Sequence, residues 1–219
     1  MNWYKGKKIY CLGDSITYGA GNDGVSWVNY LAELMPETEF VNYGVSGSTI
    51  SLTDERDDSF VERYSYMKPD GDVIVVFGGI NDFNHGVPLG VCQERGKNPF
   101  PEEGNTFYGA LNTLIRGLLK KYPAGELCMI TPMRIDGFKD YPHWNTKNQA
   151  GFYLSDYRKA ILEVCGFYGV PVLDLFTKSG LTTDVAERKE RHLPDGLLPG
   201  EEGYKRLTRK IYNFINYQL

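Results

Sequence analysis

The stretch Ile9-Tyr10-Cys11-Leu12-Gly13-Asp14-Ser15 decides the fold. Its four apolar residues read as a buried strand. Gly13-Asp14-Ser15, trailed by Thr17, Gly19 and Gly21, reads as a tight turn holding a hydroxyl at the strand's carboxyl end. In an open α/β sheet, ligands gather on that rim. Outward from this point the pattern recurs. Apolar strands are predicted at about 40–43, 73–77, 127–130 and 170–173, and Val73–Phe77 is apolar throughout, as a central strand covered on both faces should be. Between them, Trp27, Tyr30, Leu31 and Leu34 repeat at helical spacing behind Ser26, a good N-cap. Further helices are predicted at 107–119, stopped by Pro123, at 149–167, and from about Pro199 onward. Strand–helix alternation of this kind predicts one three-layer α/β/α domain, flavodoxin-like, over residues 1–219 with about five parallel strands.

Bulk properties exclude several classes. The 219 residues suffice for a core without staples, with 42% hydrophobic and 24% charged residues. A net charge of -4 without a basic stripe argues against nucleic acid as a partner, and no apolar run is long enough to span a bilayer. Cys11, Cys92, Cys128 and Cys165 lack metal-ligand spacing. Cys11 and Cys128 fall within strands and read as buried thiols in a reducing compartment. With no apolar leader in Met1-Asn2-Trp3-Tyr4-Lys5, the expected location is the cytoplasm, although a removed leader would leave no trace.

The carboxyl rim collects the chemistry. Ser15 follows the first strand. Gly47, in Asn42-Tyr43-Gly44-Val45-Ser46-Gly47, can offer a backbone N–H after the second. Asn81, in Gly78-Gly79-Ile80-Asn81-Asp82, can offer a side-chain amide after the third. Acyl transfer through serine needs such donors, because the tetrahedral intermediate carries its charge on oxygen. Asp195, near the C-terminus, can orient a base. Two long polar loops, 83–104 and 132–148, leave the same rim, and with them His85, Arg134 and Trp144 become candidates for the substrate cleft, alongside Asp14. Asp14 also suits a helix cap. The run Asp54-Glu55-Arg56-Asp57-Asp58 has no clustered histidine and reads as a solvated face; no metal or organic cofactor is implied.

With these blocks in order, the chain resembles the SGNH (GDSL-type) hydrolases. Gly13-Asp14-Ser15 matches the family's first block, Gly47 its second and Gly79-Ile80-Asn81-Asp82 its third. The resemblance implies a flavodoxin-like fold and serine-dependent hydrolysis of carboxylic esters: short acyl or acetyl esters of sugars, alcohols or lipids. It also implies an oxyanion hole formed by the N–H groups of Ser15 and Gly47 and the Asn81 amide. No Gly-X-Ser-X-Gly elbow is present, which disfavours the ordinary α/β-hydrolases. The family's fourth block, Asp-X-X-His-Pro, here reads Asp195-Gly196-Leu197-Leu198-Pro199. Leucine can neither take nor give a proton, so catalysis in this chain is expected to be impaired. Three readings of Leu198 stand: an introduced substitution, a natural loss leaving a non-catalytic carbohydrate- or ligand-binding module, or compensation by another histidine. His192 is the foremost substitute base, ahead of His85; His143 reads as a surface or substrate contact. A flavodoxin-like nucleotide binder is disfavoured, for no Gly-X-Gly-X-X-Gly loop follows the first strand.

Overall fold

A computed structural model describes residues 3–93, 97–138 and 141–219. Along the chain run β1 (Lys8–Gly13), α1 (Ser15–Tyr18), α2 (Trp27–Leu34), β2 (Glu39–Gly44), α3 (Phe60–Arg63), β3 (Val73–Phe77) and α4 (Ile80–Asn84). They are followed by α5 (Phe107–Lys121), β4 (Glu126–Ile130), α6 (Leu154–Tyr168), β5 (Val172–Leu173), α7 (Leu175–Lys178), α8 (Ala186–His192) and α9 (Glu201–Gln218). The strands form one parallel sheet in the order β2-β1-β3-β4-β5. Both expectations hold: the sheet is five-stranded and parallel, and helices cover both of its faces.

Strand pleat sorts the side chains into two cores. Ile9 and Cys11 of β1, with Val73, Val75 and Phe77 of β3, pack under Trp27 and Leu31 of α2 and Leu207, Ile211 and Phe214 of α9. Tyr10 and Leu12, with Ile74 and Val76, face Leu111, Leu114 and Leu118 of α5 and Ile161 and Val164 of α6. Cys11, Cys128 and Cys165 are free and buried, and burial pushes their thiols up, that of Cys165 to about 12.

Two elements depart from the sequence-based bounds. Helix α6 begins at Leu154 instead of 149, because the Asn148 side chain holds the preceding segment as a loop. Its Oδ1 accepts from the N–H groups of Ala150 and Phe152, and its Nδ2 donates to the Phe83 carbonyl and the Tyr157 hydroxyl. Strand β5 shrinks to two residues at the sheet edge, just after Pro171, which has no N–H to give a ladder. The long loops differ in course. The 83–104 loop lies down on α5 and α6 through Asn98, which donates to Asn112 and Tyr168, and through Phe100, stacked on Tyr108 at 5.8 Å. Residues 94–96 of that loop and 139–140 of the next lie outside the described residues.

Candidate active site

Register sets the site. Gly13 pairs with Gly44 on one side and Phe77 on the other, so β1, β2 and β3 end level. The loops carrying Ser15, Gly47 and Asn81 therefore leave the sheet side by side.

Ser15 is the first residue of α1, half-buried. Asp14 caps that helix, its Oδ1 accepting from the Ile16 N–H at 3.0 Å. Asp14 is buried, which raises its carboxyl to about 7; neighbouring Asp82 adds to the rise while the Ile16 N–H and Arg63 oppose it. Its place is under the turn, as a cap, and not in an open cleft. The Ser15 N–H, at a helix start, has no intrahelical acceptor. Gly47 stands in the turn closed by the Ser48 N–H to the Val45 carbonyl (3.3 Å), with φ of 79°, a conformation glycine adopts without strain. A Cβ at 47 would also come within 2.9 Å of Arg56 Nη1. Neither the Ser15 N–H nor the Gly47 N–H donates to another described residue.

Asn81 is buried near the start of α4, and one Nδ2 hydrogen goes to the Ser48 carbonyl at 2.9 Å, so the amide is held against the Gly47 turn with its second hydrogen uncommitted. Asp82 pins the same loop from below, accepting from the N–H groups of Ile50 and Ser51, each at 2.9 Å. The sheet tips are bound together by Arg63, which donates to the carbonyls of Tyr43 (2.7 Å), Gly13 (3.0 Å) and Asp58 (2.7 Å) and to Ser48 Oγ (2.8 Å). The sequence offered no signal for Arg63, whose partners lie up to 50 residues away. Asp82, by contrast, sits inside a block already singled out.

The C-terminal loop docks on the other flank. Asp195 Oδ1 accepts from the N–H groups of Leu197 (2.8 Å) and Leu198 (2.7 Å), a tight Asx-type turn. Leu198 is half-buried against Gly21, where an added Cβ would fall 2.9 Å from the leucine's own Cβ. Gly21 lies just beyond α1, whose first residue is Ser15. Tyr204 of α9 fastens this junction by donating to the Ala20 carbonyl at 2.8 Å. Burial pushes its hydroxyl pKa up, and the nearby charges of Asp14 and Asp195 push it further.

Among the described residues no imidazole is hydrogen-bonded to Ser15. His192, the foremost substitute, is buried between α8 and α9 with Nδ1 against the Arg188 carbonyl at 3.0 Å. His85 ends α4, its Nδ1 3.6 Å from Glu55 and its ring 6.2 Å from Tyr141. His143 accepts from the Asn145 N–H on its own loop. Arg134 and Trp144 are brought together: the guanidinium lies 4.7 Å from the indole and 5.0 Å from Phe176. Arg134 Nε and Trp144 Nε1 are buried without a hydrogen-bond partner. Arg56, read from sequence as part of a solvated face, instead reaches the Gly47 turn. It pairs with Asp58 and donates to the Ser46 carbonyl at 3.0 Å.

A three-layer α/β/α domain thus carries a serine at the tip of its first strand, with uncommitted donors on the two neighbouring loops. The chain belongs to the GDSL-like lipase/acylhydrolase family, whose model matches residues 11–206. Ester hydrolysis is the general chemistry this membership carries. A search of curated proteins finds no match. Among solved structures, a protein from Lactobacillus plantarum is 32% identical, with 97% of this chain and 98% of that one covered and a TM-score of 0.85. A lipase/acylhydrolase from Enterococcus faecalis (23% identity, 97% of each chain, TM-score 0.64) and an acetyl xylan esterase (19%, 95% and 99%, 0.64) share the fold.

Proposed function

We propose that the site is built to hydrolyse short acyl esters, acetyl esters foremost, of sugars, other alcohols or lipids, and that Leu198 leaves it without its general base. Ser15 Oγ would attack the ester carbonyl. The uncommitted N–H groups of Ser15 and Gly47 and the free Asn81 amide hydrogen would receive the negative charge forming on oxygen. The observation that carries the reading is the seat of Leu198: it packs on Gly21, just beyond the α1 turn, while the Asp195 carboxylate is fixed by the 197 and 198 backbone. The side chain at 198 thus meets the segment that follows the serine's helix, and it is one that can carry no proton. Turnover in the unaltered chain should then be slow, supported by oxyanion binding alone.

Hydrolysis of p-nitrophenyl acetate by the parent chain, Ser15→Ala and Leu198→His tests this. General-base catalysis contributes about 10²- to 10⁴-fold, so Leu198→His should exceed the parent by that order, while the parent stays close to Ser15→Ala. Rates at background for all three would leave a ligand-binding module and overturn the reading.

A further inference from the structure

Away from the serine, α8 and α9 enclose a cleft of about 450 Å³, within the size range of small-molecule sites. Its walls carry five cationic side chains and two carboxylates. Two of the cations are spoken for: Arg191 meets Glu202 at 3.5 Å, and Lys205 meets Glu201 at 2.6 Å and Glu202 at 3.5 Å. Arg188, Arg206 and Arg209 pair with no carboxylate among the described residues. The Nε–Nη2 edge of Arg206 packs on Gly180, 3.0 and 2.6 Å from where a Cβ would stand there, which fixes this guanidinium in the cleft wall. His192 is buried in the same wall, its Nδ1 3.0 Å from the Arg188 carbonyl. Guanidinium groups without a carboxylate partner are the groups with which an oxyanion pairs best.

We propose that this cleft binds the phosphate group of a small phosphorylated compound. A tetrahedral oxyanion can accept from several guanidinium forks at once, which a lone carboxylate cannot do as fully. The scaffold is fixed: Lys189 of α8 is tied to Asp136, and the Gly200 N–H donates to the His192 carbonyl at 3.1 Å. Glu187 and Glu202 line the cleft and Glu190 and Glu201 flank it on α8 and α9, so the positive field is confined to the pocket. That arrangement suits one small anion and repels the long backbone of a nucleic acid. Ser15 is not among the residues that line the cleft.

Calorimetric titration with inorganic pyrophosphate and, separately, glycerol phosphate tests the assignment, against sodium chloride of equal ionic strength. Saturable binding of one ligand per chain is expected. It should weaken about tenfold or more in Arg188→Gln and in Arg209→Gln, since each removes a charge-assisted contact. Both residues are exposed, so these variants keep the fold whether or not Arg206→Gln does. Lys159→Gln, on α6, should bind as the parent does. Tighter binding of pyrophosphate identifies the inorganic ion as the better fit, tighter binding of glycerol phosphate a phosphomonoester. Heats no larger than those of chloride, unchanged affinity in both arginine variants, or stronger binding to duplex DNA that grows with its length would each overturn the proposal.

Discussion

At the scale of single residues, Asp14 shows how a cap can also be a titrating group. Its carboxyl loses its proton at about 7 in the fold, against 3.8 for the ordinary side chain. Between those values the native state holds a proton that the unfolded chain has released, so stability falls as pH rises through that window. Asp14→Asn keeps the cap, since asparagine accepts from the N2 N–H as aspartate does. Relative to the parent, the variant should gain up to a few kcal/mol above pH 7 and lose that advantage below about pH 4, read from urea midpoints across the range. An advantage that does not change with pH would show that Asp14 is not the titrating group. The capping role was legible from Asp14's place before a helix. Its burial was not, because burial arises from α9 and the 82 region closing over it.

At the scale of elements, the tips of β1, β2 and β3 hold their loops through one side chain. Arg63→Met removes four hydrogen bonds, three of them to backbone carbonyls, of which that of Gly13 keeps the Val45 N–H. A loss of about 3 kcal/mol or more is expected in chemical denaturation, since bonds to a charged donor contribute about 1.5–3 kcal/mol each and not additively. In the Leu198→His background, the variant should also lose ester turnover, because the Gly47 turn and the Asn81 amide share Ser48 with Arg63. The strands and long helices were readable from hydrophobic periodicity because each repeats a local pattern. The short helices α4 and α8 were not, being one or two turns long, too short to show a period. The basic cleft escaped for another reason: Arg188 and Arg191 are interleaved with Glu187 and Glu190, and only packing of α8 on α9 brings them to Arg206 and Arg209.

At the scale of the molecule, the sheet divides the interior into two cores that share strands but few side chains; Leu198 is among the residues packed against both. Leu111→Ala, in the α5 core, and Leu207→Ala, in the α9 core, each empty a fully buried leucine site. Each should cost about 2–5 kcal/mol. Because the sheet separates them, the double variant should match the sum to within about 0.5 kcal/mol. A clear departure from the sum, measured by equilibrium unfolding, would show strain passing through the strands. The three layers and the rim that holds Ser15, Gly47 and Asn81 follow from strand–helix alternation and from each motif's place after a strand, whereas the strand order comes from the structure alone. The seat of Leu198 does not, because it depends on the α9 end of the molecule returning to β1.

That return has a consequence for biosynthesis. Tyr204 reaches back to the Ala20 carbonyl, and Leu198 leans on Gly21, so the segment that follows α1 has one wall made by residues up to 184 positions later in the chain. A nascent chain on the ribosome can assemble most of its sheet while that wall is still missing. Newly made protein therefore stays open at this flank until α9 emerges from the exit tunnel and docks.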